Sequence, residues 1–326
     1  MITTDDIRAA HARIAGHIRR TPTMQLSAAT FGTPVPVALK LEFMQVTGTF
    51  KARGAFNTLL GGTMPKAGVC AASGGNHGIA VAHAAASLGI PARIYVPEIS
   101  SPAKIARIRE TGADFVVGGA RYSDALAACE AYAAETGAHS VHAYDAWPTI
   151  AGQGTVGLEW EEDAGGLDTV LVAVGGGGLI SGIARWFDRR IKVVGVEPEG
   201  SRALQSALAA GGPVDVEVDS IAADSLGARN VFGRVHETAA RYVDSVVLVS
   251  DDAIRDAQKR LWLGLRAASE PGGAAALAAL VSGAYTPSSG ERVGVLACGA
   301  NVDLARLAEV VAGPDAAHRS VIGCPP

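Results

Sequence analysis

The sequence predicts an α/β protein in which parallel sheets are covered by helices. Two observations carry this prediction. First, short and continuously apolar segments, such as residues 169–174 and 293–297, alternate along the chain with segments of helical character. Strands of that kind are buried on both faces, which requires helices on both sides of a parallel sheet. Second, most of the polar motifs follow a predicted strand, which is where such sheets bind ligands.

The first half of the chain alternates helices and strands. Apolar side chains recur at helical spacing over Asp6–Arg19, and Pro22 ends that pattern. The alanine-rich segment Asn76–Ala86 predicts a second helix. Pro102 opens a further helix at its favoured first position, and Gly112 closes it. The predicted strands of this half are Val37–Leu41, Ala92–Val96 and Phe115–Val117.

The second half repeats the alternation with more apolar strands. The predicted strands are Thr169–Val174, Val193–Val196, Val246–Val249 and Val293–Ala297. Helices are predicted at Ile180–Phe187 and Pro271–Val281, and a third begins after Ser250, a good N-terminal cap. Most of the motifs lie at a junction between a predicted strand and a helix.

Composition narrows the class of protein. The chain has 326 residues, of which 18% are charged, and a net charge of −4. This length suggests about two domains with a large core. No basic run is present, so nucleic acid and anionic membranes are poor partners. The cysteines show neither metal-ligand spacing nor a disulfide framework, and no segment has a signal or membrane-spanning pattern. We therefore expect a cytoplasmic protein that binds a small molecule.

Lys51 is the leading candidate for amine chemistry. It is one of six lysines and follows Phe50 in a segment rich in small residues. An amine that attacks a carbonyl must be neutral part of the time, and partial burial lowers a lysine pKa by disfavouring the charged form. We also expect the charge of Arg53 to lower this pKa by repulsion. The alternative is an ordinary lysine at the start of a helix.

A run of four glycines follows one apolar strand and precedes a helix. Backbone N–H groups without neighbouring side chains can converge on an anion at a helix N-terminus, and phosphate is the natural guest. A dinucleotide site is one alternative, because Glu197 ends the next strand about where a ribose-binding acid would fall. The G-x-G-x-x-G spacing fails in every register, however. A tight turn with close helix packing is the other alternative. The run is Gly175, Gly176, Gly177 and Gly178.

Two more motifs adjoin predicted strands or helices. The segment Ser73-Gly74-Gly75-Asn76-His77-Gly78 opens the alanine-rich helix, and its small residues suit a substrate carboxylate. Asn76 offers both a donor and an acceptor, although a plain capped turn is the alternative. His77 fits a structural role better than that of a base. Cys298 ends the last strand, either as a small core residue or as a neutral partner of a heteroaromatic nitrogen.

Together these motifs resemble those of the fold-type II pyridoxal-phosphate enzymes, most closely the threonine/serine dehydratases (ammonia-lyases) and serine racemases. The resemblance runs from Thr21-Pro22 to residue 304, with the motifs in the family's order. It implies a two-domain fold similar to the tryptophan synthase β subunit, and we expect a homodimer. Residues 1–50 and 149–326 would form the large cofactor domain, and residues 51–148 the small domain that binds the substrate carboxylate.

The resemblance implies a role for each motif. Lys51 would hold pyridoxal 5'-phosphate as a Schiff base and then act as the general base. Phe50 would pack near the cofactor ring, Asn76 would bind its hydroxyl, Cys298 would face its nitrogen, and Glu270 would lie near its edge. The phosphate would be bound by backbone groups of Gly175, Gly176, Gly177, Gly178 and Leu179. The substrate carboxylate would be bound by Ser73, Gly74, Gly75, Asn76 and His77.

Two positions depart from the pattern of the serine racemases. Those enzymes carry a second serine where this chain has Gly74, so one face of the substrate lacks an acid and racemization should be weak. Their metal site resembles Glu197 and Ser201 here, but its third ligand, an aspartate, is replaced by Ala203, which argues against a divalent ion. Two further candidate substrate-side groups, which could equally be surface residues, are Asp224 and Arg229.

The resemblance implies elimination at the β-carbon of L-threonine, L-serine or a related 3-hydroxy amino acid, giving a 2-keto acid and ammonia. A thiol at Cys298 favours elimination over transamination, because it does not hold the cofactor nitrogen protonated. The alternatives are a β-replacement synthase similar to cysteine synthase, a serine racemase and a non-catalytic amino-acid sensor. A Rossmann-type NAD oxidoreductase is the alternative from another class. The substrate side chain stays open, because pocket shape decides it.

Overall fold

The computed structural model describes residues 1–98, 100, 102–120 and 122–313. The strands are β1 (Thr23–Leu26), β2 (Val37–Leu41), β3 (Val69–Ala72), β4 (Ala92–Val96), β5 (Asp114–Val117), β6 (His139–Ser140), β7 (Thr169–Ala173), β8 (Lys192–Pro198), β9 (Ser245–Val249) and β10 (Val293–Ala297). The helices are α1 (Thr4–Ile14), α2 (Ala28–Phe31), α3 (Lys51–Leu60), α4 (Asn76–Leu88), α5 (Pro102–Glu110), α6 (Tyr122–Thr136), α7 (Trp147–Ala164), α8 (Gly178–Phe187), α9 (Ala203–Ala210), α10 (Ala223–Leu226), α11 (Gly233–Tyr242), α12 (Asp251–Leu265), α13 (Pro271–Val281) and α14 (Leu304–Ala312). A short 3-10 helix, Glu42–Met44, follows β2.

The strands form two sheets. The six-stranded sheet has the order β1-β2-β10-β7-β8-β9, and the four-stranded sheet has the order β5-β4-β3-β6. Within the described ranges, β1 runs antiparallel to β2 and the other pairings are parallel. Strands β2, β7 and β10 are buried along their whole length, and α8 and α13 pack on this sheet. The predicted α/β class with parallel sheets is confirmed.

Each sheet has its own apolar core. One cluster of buried side chains surrounds the six-stranded sheet, and a second joins β3 and β4 to α3 and α4. Helix α1 contributes to both, because Ile7 and Ala10 belong to the first cluster and Ile14 to the second. The six-stranded sheet draws its strands from residues 23–41 and 169–297, and the smaller sheet from 69–140. The domain bounds given above stay a prediction.

The observed bounds agree with several predictions and differ at the first helix. That helix ends at Ile14 instead of Arg19, because a turn containing Gly16, a poor helix former, follows it. A capping box between Thr3 and Asp6 begins the helix at Thr4, two residues before the predicted start at Asp6. Elements with the predicted bounds are Val37–Leu41, Ala92–Val96, Pro271–Val281 and Val293–Ala297.

Helix α7 is not among the elements that the sequence predicts. It has 18 residues and contains Gly152, Gly154 and Gly157, which lower helix propensity. The packing explains these glycines: a Cβ at Gly152 would lie 2.6 Å from the carbonyl oxygen of Arg53, and one at Gly154 would lie 2.8 Å from Ile7. Close contact with α3 and α1 therefore outweighs local propensity.

None of the helices in residues 1–98, 102–120 and 122–313 is both long enough and apolar enough to cross a bilayer.

Candidate active site

Lys51 is the first residue of α3, and the chain before it is attached to the end of β10. Thr49 forms an isolated antiparallel bridge with Gly299, and the Phe50 N–H donates to the Cys298 carbonyl at 3.4 Å. The Lys51 Nζ donates to the carbonyl oxygen of Ala143 at 2.8 Å. This nitrogen also lies 5.3 Å from the centre of the Phe50 ring. The structure thus aims the Lys51 amine into the space beyond the carboxyl end of β10.

Burial lowers the pKa of Lys51 to about 8, because it penalises the charged form, while Cys298 and Glu270 oppose the shift. The expected contribution of Arg53 is wrong. The Arg53 guanidinium is fully buried between the carboxylates of Glu42 and Glu159. These two carboxylates compensate its positive charge, so it does not lower the pKa of Lys51. Desolvation therefore makes a larger fraction of Lys51 neutral at physiological pH than for an ordinary lysine, although the charged form still predominates.

The glycine run joins β7 to α8. It packs on the loop containing Ala143 and Tyr144, whose Ala143 carbonyl accepts from Lys51. A Cβ at Gly176 would overlap the ring of Tyr144, and one at Gly178 would lie 2.8 Å from the Tyr144 carbonyl. Gly177 has φ +81°, a conformation that favours glycine. The first N–H groups of a helix have no partner inside it, so α8 presents donors here. Leu179 is buried in the first turn of that helix.

Glu197 and Ser201 lie outside this pocket and have local partners. The buried carboxylate of Glu197 accepts the N–H groups of Leu204 at 2.8 Å and Gln205 at 2.9 Å, which caps α9. The Ser201 hydroxyl donates to the Leu226 carbonyl at 2.7 Å. Across the described part of the chain, no group of three or more His, Cys, Asp or Glu side chains could hold a metal ion. The capping role of Glu197 removes the main support for a dinucleotide site.

Asn76 joins the two sheets through a hydrogen-bonded chain. Its Nδ2 donates to Glu270 Oε1 at 2.7 Å, and its Oδ1 accepts from Asn301 Nδ2 at 2.7 Å. Burial raises the pKa of Glu270 to about 7, although the charge of Lys104 and the Asn76 bond oppose the rise. The second carboxyl oxygen, Oε2, is buried without a hydrogen-bond partner among the described residues. It is therefore available to a bound polar group.

The loop before α4 faces the same pocket. The Gly75 N–H donates to Ser73 Oγ at 3.1 Å, and a Cβ at Gly75 would lie 3.8 Å from Lys104 Nζ. A Cβ at Gly74 would overlap Ser100. Burial and the nearby charge of Lys51 lower the pKa of His77 to about 3, so its ring is neutral and Nε2 donates to the Val141 carbonyl at 2.8 Å. This agrees with the structural role expected for His77.

Cys298 follows β10 and lies beside the same groups. Its thiol donates to the Gly272 carbonyl at 3.4 Å. Burial raises the pKa of the thiol, and the neighbouring carboxyl of Glu270 raises it further. The sulfur therefore keeps its proton and presents a neutral surface to the pocket.

These groups fit the phosphorylated pyridine cofactor that the resemblance implies. A desolvated amine, a neutral thiol and an unpartnered carboxyl oxygen lie close together, and a helix N-terminus bordered by glycines packs on the loop that accepts a hydrogen bond from the amine. A phosphate suits the helix N-terminus, and a heteroaromatic ring suits a neutral thiol. The structure brings together the predicted residues Phe50, Lys51, Asn76, Glu270 and Cys298.

Other candidate residues differ in their placement. Asp224 forms an ion pair with Lys104 at the edge of the pocket. Arg229 is exposed, and the contact described for it is a backbone hydrogen bond to Val216. Lys104 itself was not predicted: it is buried, and it lies next to both Glu270 and the Ser73–His77 loop. No motif marks Lys104, and the scarcity of lysines is the one signal that could have pointed to it.

Residues 14–299 match the family model described as "Pyridoxal-phosphate dependent enzyme". The chain is 41% identical over 307 residues to phenylserine dehydratase from Ralstonia pickettii, covering 91% of this chain and 92% of that protein. It is 34% identical over 316 residues to L-threonine ammonia-lyase from Thermotoga maritima, covering 95% of this chain and 78% of that protein.

A solved structure has the same fold. Maize serine racemase superimposes with a TM-score of 0.88 at 35% identity, covering 94% of this chain and 95% of that chain. The similarity therefore extends over both sheets and over the segments that carry the pocket.

Proposed function

The chain belongs to the family of pyridoxal-phosphate dependent enzymes, and from that premise we propose that it eliminates water from a 3-hydroxy amino acid. The products are a 2-keto acid and ammonia. The predicted resemblance and the predicted cofactor, pyridoxal 5'-phosphate, are confirmed by the family match. Relatives named dehydratase or ammonia-lyase support the elimination, and their names suggest L-threonine, L-serine and phenylserine as substrates to test.

The observation that carries the proposal is the convergence of a desolvated amine with a lowered pKa, a neutral thiol and the glycine-bordered helix N-terminus. The cofactor, when bound, supplies an electron-withdrawing ring that acidifies the α C–H bond of an attached amino acid. Lys51 would hold the cofactor and, once freed, would take the α-proton at Nζ. Its lowered pKa suits both tasks, because each requires a neutral amine.

The remaining residues would bind and orient. The backbone of the Ser73–His77 loop would bind the substrate carboxylate at the start of α4. Cys298 would contact the cofactor ring as a neutral thiol that neither accepts nor donates a proton. Lys51 would take the α-proton and the β-hydroxyl would leave as hydroxide, so the net loss is one water molecule once the lysine has given up its proton. The resulting enamine tautomerises, and water hydrolyses it to the keto acid and ammonia, so no oxidant or reductant is needed.

The test is a panel of amino acids assayed with purified holoenzyme. We expect keto acid and ammonia in equal amounts from L-serine, L-threonine or a larger 3-hydroxy amino acid. Borohydride should trap the cofactor on a peptide containing Lys51. If cofactor is bound but no 3-hydroxy amino acid releases keto acid, the proposal is wrong. Product formed only with an added thiol nucleophile would instead indicate a β-replacement synthase.

The pH dependence of cofactor capture tests the environment of Lys51. We predict that the rate at which apoprotein captures pyridoxal phosphate rises about tenfold per pH unit up to about pH 8 and then levels off. The sign follows from the lowered pKa, because the neutral amine that reacts becomes dominant above about 8 instead of above 10.5. The measurement is the growth of visible absorbance after mixing.

Free N-acetyl-lysine is the control for this experiment, since it meets the same cofactor with an ordinary amine pKa. Its rate should keep rising to about pH 10. Equal pH profiles for the protein and the free amine would show that Lys51 is not desolvated.

The identity of residue 74 tests the preference for elimination over racemization. Because a side chain at Gly74 would overlap Ser100, a serine there needs space. We predict that Gly74→Ser combined with Ser100→Gly raises the ratio of D-serine to pyruvate formed from L-serine by about tenfold, since it adds a hydroxyl acid near the substrate. Chiral chromatography measures the ratio. Ser100→Gly alone is the control, and an unchanged ratio in the double variant would contradict the prediction.

Location and assembly are also proposed. Cys70, Cys129 and Cys298 are buried free thiols, which supports a reducing compartment such as the cytoplasm.

Leu263 on α12 is 53% exposed and Leu304 on α14 is 70% exposed. Since these two helices pack together, this apolar surface supports a homodimer. Light scattering on purified protein would distinguish a dimer from a monomer.

A further inference from the structure

Three aromatic rings pack together at the loop whose Ala143 carbonyl accepts a hydrogen bond from Lys51. We call this group the aromatic wall, and it consists of His142, Tyr144 and Phe232. Phe, Trp and Tyr make up only 5% of the chain, so abundance does not account for their meeting here. Ala143, whose carbonyl oxygen accepts from Lys51 Nζ at 2.8 Å, lies between His142 and Tyr144 in sequence. Besides burial, the charge of Lys51 lowers the pKa of His142, so this ring of the wall lies near the amine that would take the α-proton.

The rings are mutually packed. Tyr144 and Phe232 stack with centroids 5.8 Å apart and an interplanar angle of 7°. His142 meets both edge-on, with centroids 4.9 Å from Tyr144 and 5.8 Å from Phe232. These distances are those of favourable aromatic contacts. Phe232 remains 41% exposed, which leaves part of the wall uncovered by protein.

Hydrogen bonds hold the wall in place. His142 Nδ1 accepts the N–H groups of Tyr144 at 3.2 Å and Asp145 at 2.9 Å. The Asp145 carboxylate accepts the Val235 N–H at 2.8 Å, which ties this loop to α11, the helix that begins just after Phe232. The Tyr144 hydroxyl donates to the Asn230 carbonyl at 3.1 Å. A rigid surface of this kind is preorganised for one shape of ligand.

The wall is also uncharged. Burial lowers the pKa of His142, and its Nδ1 already accepts two N–H groups, so the ring is neutral. Burial raises the pKa of Tyr144, so its phenol keeps its proton. An uncharged aromatic surface favours an apolar or aromatic ligand group and offers no ionic partner to a carboxylate.

We propose that the aromatic wall receives the substituent on the substrate β-carbon and that this substituent is an aryl group. The inference rests on the proposed function, since that function places the α-carbon at Lys51. The β-carbon is one bond away, so its substituent must lie within a few ångströms of that amine. A hydrogen or a methyl group would leave the exposed part of the wall uncovered, whereas a phenyl ring adds a further aromatic contact.

The test compares an aryl with an alkyl substrate. Wild-type holoenzyme should have a higher kcat/KM for phenylserine than for L-threonine. Phe232→Ala should lower the ratio of the two kcat/KM values by about tenfold, and Tyr144→Leu, which keeps apolar volume but removes the ring, should lower it similarly. Phe232→Trp should retain the ratio. Met24→Ala, a change at a similarly exposed apolar side chain on β1, is the matched control and should not alter it.

A binding measurement separates this inference from the proposed function. L-Phenylalanine has no β-hydroxyl to lose, so calorimetry can measure its affinity for holoenzyme without turnover. We expect it to bind about tenfold more tightly than L-alanine, and we expect Phe232→Ala to remove that preference. If keto acid forms but neither the kcat/KM ratio nor the binding preference responds to Phe232→Ala, the wall has no role in specificity. If no substrate is turned over, the proposed function fails, and calorimetry alone decides whether the wall binds an aryl group.

Discussion

Replacing Lys51 with alanine should lower turnover of every 3-hydroxy amino acid by about 10³-fold or more, while the fold is retained. The amine is proposed both to hold the cofactor and to take the α-proton, so one substitution removes two functions. The structure supports both, because Lys51 Nζ donates to the Ala143 carbonyl at 2.8 Å in a desolvated pocket and its pKa is about 8. The measurement is keto-acid release under saturating cofactor.

Lys66→Ala is the matched control, since Lys66 is exposed and lies away from the pocket groups described above. It should retain full activity and the visible absorbance of the holoenzyme. Circular dichroism should show an unchanged fold for both variants. A Lys51→Ala enzyme with near-normal turnover would remove this residue from the proposed mechanism.

Replacing Arg53 with alanine should destabilise the apoprotein by about 3–5 kcal/mol, because it leaves buried carboxylates without their partner. The Arg53 side chain makes two bonds to Glu42, at 2.8 and 2.7 Å, and two to Glu159, at 2.8 and 2.7 Å. It also donates to Thr155 Oγ1 at 3.0 Å. Since Lys40 also pairs with Glu159, the substitution leaves Glu42 as the carboxylate without a cationic partner. Urea and thermal unfolding measure the change.

Two further variants make this prediction specific. Arg53→Lys keeps the charge but cannot form both paired sets of hydrogen bonds, so its loss should be smaller. Arg255→Ala removes an exposed pair with Asp252 and should cost at most about 0.5 kcal/mol. The apoprotein is used because bound cofactor stabilises the folded state separately. If Arg53→Ala and Arg255→Ala unfold at the same urea concentration, the buried network has no net stabilising role.

The alternation of strands and helices was predictable because it depends on local pattern. Continuous apolar segments mark β7 and β10, and Pro271 marks the start of α13, so these elements have bounds close to those predicted. Helix α7 was not predictable, since its glycines match the surfaces of α3 and α1 in the folded chain. The same holds for Arg53, which the sequence suggests as a repulsive neighbour of Lys51 but which binds two carboxylates instead.

By itself the sequence determined the fold class, the family and its cofactor, because residues adjacent in the chain carry each of those signals: a lysine among small residues, a glycine run after an apolar strand, and a cysteine at a strand end. Only the tertiary structure decided which distant groups meet at the pocket. Lys104 lies near Glu270 across 165 intervening positions, and Tyr144 contacts Phe232 across 87, so no local pattern could pair them. The shape that selects a substrate depends on such long-range contacts, whereas the chemistry depends on the motifs.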